Sequence, residues 1–196
     1  IGHTLTNVKC YGENNGSIDI SVSGGTVPYS YRWSSSQTTE DINNLVAGGY
    51  GVTVTDSHGC IIRDTAVISQ PSQLTIGHTL TNVKCYGENN GSINLTVNGG
   101  TIPYSYRWTN SQTTEDINNL VAGGYGVTVT DSHNCVIRDT AVITQPTLLT
   151  ISHSQTNVSC KNGNNGSINL TVNGGTTPYS YKWSSSQTTE DINNLI

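Results

Sequence analysis

Apolar and polar residues alternate along most of this chain, and the clearest run is Pro28-Tyr29-Ser30-Tyr31-Arg32-Trp33. Alternation puts Tyr29, Tyr31 and Trp33 on one face and Ser30, Arg32 and Ser34 on the other, which predicts a half-buried strand. The run returns at residues 103–108 and, with Lys182 in place of Arg, at 178–183. Residues 17–23 alternate in the same way, with Ile18, Ile20 and Val22 inward. Outward Asp19, Ser21 and Ser23 become Asn94, Thr96 and Asn98 in the next copy, while the inward set changes only from Ile20 to Leu95. One face tolerates any small polar group and the other keeps its volume, as expected of a solvated face and a core face. Further strands are predicted over residues 4–9, 40–45, 50–55 and 61–69, separated by turns rich in Gly, Asn and Ser, and no segment has helical periodicity.

These strands recur as a set. Ile1-Gly2-His3-Thr4-Leu5-Thr6-Asn7-Val8-Lys9-Cys10 returns almost letter for letter at residues 76–85 and more loosely at 151–160, a period of about 75 residues. The expected organisation is a first β-sandwich over residues 1–70, a linker at 71–73, a second sandwich over 74–145, a linker at 146–148 and an incomplete third copy over 149–196. On this reading the chain is an excerpt of something longer, and the third copy draws its missing strands from further sequence or from another chain. Gln70-Pro71-Ser72-Gln73 and Gln145-Pro146-Thr147-Leu148 are short joints stiffened by proline. End-to-end stacking would then give a rod that gains roughly 30–40 Å per copy.

Composition narrows the picture. With no Phe and no Met, the one Trp of each copy (Trp33, Trp108, Trp183) is the largest apolar group available to a core. Only 11% of residues are charged and the net charge is −5, so there is no basic footprint for nucleic acid, and no apolar run reaches membrane-spanning length. A copy of this size has a marginal core and commonly carries cross-links.

Five cysteines answer that need: Cys10, Cys85 and Cys160 share one position of the repeat, Cys60 and Cys135 another, and the partner of Cys160 is expected beyond Ile196. Regular cysteines without Cys-x-x-Cys spacing indicate disulfides and an oxidising, extracytoplasmic location rather than zinc. Three pairings stay open. If residues 34–39 hold an extra strand, Cys10 and Cys60 lie about 25 Å apart, beyond the Cα separation of about 7 Å that a disulfide spans, and Cys10 joins Cys135 across the junction. Without that strand Cys10 and Cys60 share one end and pair within the copy. The third pairing is Cys60 with Cys85.

The ordered motifs Asn7-Val8-Lys9-Cys10, Asn15-Gly16-Ser17, Gly24-Gly25-Thr26, Pro28-Tyr29, Trp33, Thr53-Val54-Thr55-Asp56 and Gly59-Cys60 resemble the SprB repeat, a family of giant surface adhesins of gliding Bacteroidetes exported by the type IX secretion system. The resemblance extends to every copy. It implies an all-β, immunoglobulin-like or PKD-like fold, and Leu45, Gly48-Gly49 and Tyr50 resemble the tyrosine corner of such sandwiches. It also implies a non-enzymatic, extracellular, cell-surface role in adhesion or filament formation, with gliding motility as one instance. External surfaces or glycans are the expected partners, neighbouring copies a further one, and no cofactor is implied. A passive filament or sheath built from several chains is the alternative. A carbohydrate-binding module, resting on exposed Tyr11 and Tyr86, is a second.

Asp64-Thr65-Ala66 and Asp139-Thr140-Ala141 resemble the O-glycosylation signal of Bacteroidetes proteins, which makes Thr65 and Thr140 candidate acceptors. The acidic turns at Asp56 and at residues 13–15 are weighed as calcium sites against plain solvated turns. Lys9 and Lys84 become Ser159, so no lysine position recurs for an isopeptide cross-link. His3 and His58 have no companion acid or nucleophile placed by recurrence, and nothing marks an active site.

Overall fold

Alternating Val, Ile and Tyr positions fold as strands in the first two copies of the computed structural model, which describes residues 1–196, whereas the third aromatic run, residues 178–183, forms no strand. The first copy contains β1 (Gly2–Thr6), β2 (Gly16–Ser21), β3 (Ser30–Trp33), β4 (Ile42–Leu45), β5 (Gly48–Thr55) and β6 (Ile61–Ile68). The second contains β7 (Thr75–Thr81), β8 (Gly91–Asn98), β9 (Ser105–Trp108), β10 (Ile117–Leu120), β11 (Gly123–Thr130) and β12 (Val136–Ile143). The third contains β13 (Thr150–Thr156), β14 (Gly166–Asn173) and β15 (Ile192–Leu195).

By packing, the chain divides into two units. One comprises Ile1–Gly77, Leu95–Glu115 and Gly126–Asp139, and the other His78–Asn94, Asp116–Tyr125 and Thr140–Ile196. In the first unit, the sheets β1-β2-β4 and β3-β5-β6 are both antiparallel. Ile18, Ile20, Ile42 and Leu45 of one sheet and Trp33, Val52, Val54, Ala66 and Ile68 of the other share one core with Val8, so this copy is a β-sandwich. Trp33 is 2% exposed, while Ser30 and Arg32, which alternate with Tyr29, Tyr31 and Trp33, face water. The second copy repeats the strand orders β7-β8-β10 and β9-β11-β12. In the second unit β13, β14 and β15 form one antiparallel sheet.

Each copy has a head and a tail. At the tail of the first, the Val8 amide donates to the Ser69 carbonyl at 3.0 Å and the Ser69 amide to Asn7 Oδ1 at 2.9 Å, which ends β1 at Thr6, earlier than the expected Lys9. The corner between β4 and β5 lies there too, with the Tyr50 hydroxyl donating to the Val46 carbonyl at 2.9 Å. Tyr125 repeats this bond to Val121 at 3.0 Å. At the head, Asp56 Oδ2 accepts the Thr26 amide at 3.0 Å and so joins the β2–β3 loop to the β5–β6 turn.

β3 runs from head to tail, and so does β4, so residues 34–41 must carry the chain back. They do this without an extra strand. Ser36, in the left-handed region at φ 70°, makes the turn, and the Trp33 amide donates to the Gln37 carbonyl at 2.9 Å. Trp33 Nε1 then donates to the Thr39 carbonyl at 2.9 Å, and Asp41 Oδ1 accepts the Ile20 amide at 3.0 Å. The indole thus fills the core with its ring and holds the return segment with its N–H.

Candidate functional site

The return segment fixes where the cysteines lie. Cys10 follows β1 at the tail and Cys60 precedes β6 at the head, so the within-copy pairing expected if no extra strand formed is not made. Cys10 is bonded instead to Cys135, with 5.6 Å between Cα atoms and 125 residues between them in sequence. The error lay in the premise: an irregular segment reverses the chain as well as a strand does. Cys60, Cys85 and Cys160 carry exposed thiols in this structure, so the Cys60–Cys85 bond is not made either.

Each side of the bond is a turn set by polar side chains. On the Cys10 side, Asn15 Oδ1 accepts the Lys9 amide at 3.0 Å, Asn15 Nδ2 donates to Glu13 Oε2 at 2.7 Å, and Gln70 Oε1 accepts the Gly12 amide at 2.8 Å. Gly12 has φ +78°, which only Gly or Asn adopts readily, and Asn162 takes that position in the third copy at φ 67°. These bonds occupy Glu13 and Asn15, the pair weighed as a calcium turn.

On the Cys135 side a single carboxylate holds the loop. Asp131 Oδ1 accepts the amides of His133 and Cys135 at 2.8 and 2.9 Å, and Oδ2 accepts that of Thr101 at 2.9 Å. Burial alone would raise the Asp131 pKa, but the Cys135, Thr101 and His133 amides outweigh it and hold it below the usual carboxylate range. Asp56 makes the same bonds in the first copy and is also lowered, first by the Cys60 amide and then by that of Thr26. Both oxygens of each aspartate therefore accept backbone amides, which holds the two loops in one conformation.

A cleft of about 460 Å³ lies beside the bond, lined by Tyr11, Glu13, Leu74 and Asn134 among others. Tyr11 and Tyr86 are each 54% exposed. Thr65 on β6 and Thr140 on β12 lie at exposed positions, and the Thr65 amide donates to Asp64 Oδ1 at 2.8 Å. Asp64 Oδ2 stands 3.3 Å from His3 Nδ1, so His3 does have an acid beside it that recurrence alone did not reveal. Tyr31 is pushed up to about 12, first by burial and then by a hydrogen bond to Glu40, which keeps it a neutral phenol. Trp108 is 2% exposed like Trp33, whereas Trp183 is half-buried.

The fold and the cross-copy bond define a tandem β-sandwich module. The SprB repeat model matches residues 2–38, 77–113 and 152–188, more than half of the chain, and the chain belongs to the SprB repeat family. That family is a non-catalytic module associated with extracellular surface and gliding adhesins of Bacteroidetes. No curated protein matches the chain. Among solved structures it is similar to an amphioxus molecule described as IgVJ-C2, at 15% identity and a TM-score of 0.35, over 69% of this chain and 99% of that one.

Proposed function

We propose that this chain is a segment of a long bacterial cell-surface adhesin, in which tandem sandwiches form an extended filament that holds adhesive contacts away from the cell. The observation behind this reading is the Cys10–Cys135 bond: it ties consecutive copies through their turns, in addition to a proline-stiffened linker, and so resists separation of the copies under load. External surfaces or glycans are the partners, and many weak contacts along the repeats add through avidity. Thr65 and Thr140, at exposed strand positions, are its glycan acceptors. Intact-mass measurement of material from the source cell checks them, since unmodified mass would remove that assignment.

Imaging live source cells with a fluorescent antibody against one whole repeat tests the function. Surface label that travels along the cell marks a motor-coupled gliding adhesin, and fixed surface label marks a static filament or sheath. Absence of surface label contradicts the reading. A carbohydrate-binding module is the second reading, favoured by the cleft in which Tyr11 stands beside Glu13 and Asn134. Binding on a glycan array that is lost in Tyr11→Ala would support it, and an array without signal would retire it.

A further inference from the structure

The heads of the three copies have nearly the same sequence but not the same surroundings. In the second copy the linker seats on the Gly99-Gly100 turn. The Gly100 amide donates to the Ser72 carbonyl at 2.9 Å, and Leu74, 9% exposed, packs so close that a Cβ on Gly100 would lie 3.0 Å from its Cδ1. The third copy makes the same turn contacts with its own linker, with Leu149 left 55% exposed where the second sheet is missing. Gly175 donates to the Thr147 carbonyl at 2.8 Å, and a Cβ there would lie 2.9 Å from Leu149 Cδ1.

In the first copy this seat is a groove of about 170 Å³ lined by Val22, Gly24, Gly25, Tyr29, Cys60 and Ile62 among others. A Cβ on Gly24 would meet nothing, and one on Gly25 would meet only Asp56. Gly24, Gly25, Thr26, Asp56, Cys60 and Ile62 are each more exposed than Gly99, Gly100, Thr101, Asp131, Cys135 and Ile137. Cys60 carries a thiol where Cys135 is bonded.

We propose that the head of the first copy is a socket for another copy of this repeat. The groove takes the leucine of that copy's Gln-Pro-x-x-Leu linker, and Cys60 forms a disulfide with its cysteine of the Cys10 class. The occupant is identified by the second copy, where Leu74 lies against Gly99 and Gly100 and beside Cys135 and Ile137, and where the same cysteine position is bonded to Cys10. The bond forms by thiol–disulfide exchange. The two thiols give up two protons and two electrons to a low-molecular-weight disulfide, whose S–S bond breaks to release two thiols as the new S–S bond forms. This inference concerns how copies join and stands whether or not the filament is adhesive.

The test places one further copy of residues 1–75 ahead of Ile1, so that a Gln-Pro-Ser-Gln-Leu-Thr segment precedes the first head. The full extended chain is oxidised in a glutathione redox buffer, and the disulfides are mapped by mass spectrometry without reduction. Cys60 is expected to be joined to the added copy's counterpart of Cys10, alongside the Cys10–Cys135 bond. Alkylation of Cys60 while Cys10–Cys135 is intact would overturn the proposal, because that bond reports that the neighbouring junction has folded. Loss of both bonds would overturn cross-copy linkage itself. In a second variant the added copy's leucine equivalent to Leu74 becomes Asp. Formation of the Cys60 bond should slow about tenfold, the effect of losing most of one buried leucine. An unchanged rate would remove the socket and leave only the disulfide.

Discussion

Residues 30–33 and 180–183 differ in sequence only by Arg32 against Lys182, yet the first four form β3 and the last four form no strand. What they share is local. Both tryptophan amides bond to a Gln carbonyl four residues on, and both indoles donate to a Thr carbonyl at 2.9 Å. What they lack in common is a partner: β3 pairs with β5, Trp33 opposite Val52, and residues 149–196 include no counterpart of β5 or β6. Without that second sheet Trp183, Ile168 and Val158 are half-buried, whereas Trp33, Ile18 and Val8 are 3% exposed or less. The turn is written in the local sequence, and the strand is written in its neighbour.

The sharpest way to break this comparison is to remove each tryptophan in turn. Trp33→Ala should cost about 3–5 kcal/mol, and Trp183→Ala, with much less surface to lose, about 1 kcal/mol. Denaturation followed through hydrogen exchange of β2 and β14 separates the two. Next in size is Cys10→Ser. It should destabilise the first copy by about 2–4 kcal/mol and leave exchange in β14 unchanged, since Cys160 carries no disulfide in this structure. Denaturant titration with and without reductant checks this, and the variant should show no further effect of reduction.

Tyr50→Phe removes the hydroxyl bonded to the Val46 carbonyl, a corner with no counterpart in residues 149–196. It should cost about 1 kcal/mol, read as a shift in the denaturation midpoint. The smallest effect is that of acid. Asp56 and Asp131 are held below their ordinary value near 3.9, so the stability they contribute is present above that pH and is lost as pH falls through the lower folded values. NMR titration should show the amides of Cys60 and Cys135 moving only below about pH 4. Asp56→Asn should remove that response at Cys60 alone.

Much of the fold was legible because alternation and recurrence reinforce each other: of the inward set Ile18, Ile20 and Val22, the two isoleucines are core and Val22 is partly buried against it, and the Leu45–Tyr50 stretch is the tyrosine corner. The junction was less legible. Whether Cys10 and Cys60 share an end depends on how residues 34–41 travel. That segment has no periodicity, being held by the Trp33 indole and the Asp41 carboxylate rather than by strand pairing. Pro71 marks the linker as a stiff spacer, and stiffness alone does not show the anchoring role of Leu74. The available signal was an apolar residue at the same place in both linkers, Leu74 and Leu149, facing a double glycine in the copy that follows. The expected strand end at Lys9 failed because Asn7 and Asn15 bind backbone amides there and turn the chain first.

The central claim is that copies are joined by a disulfide across the junction, and mass mapping of the oxidised 196-residue chain without reduction tests it most directly. The account predicts a linked pair of peptides containing Cys10 and Cys135, with Cys60 and Cys85 open to alkylation. A peptide pair joining Cys10 to Cys60 would contradict it, and with it the head-to-tail separation of the two cysteines within one copy.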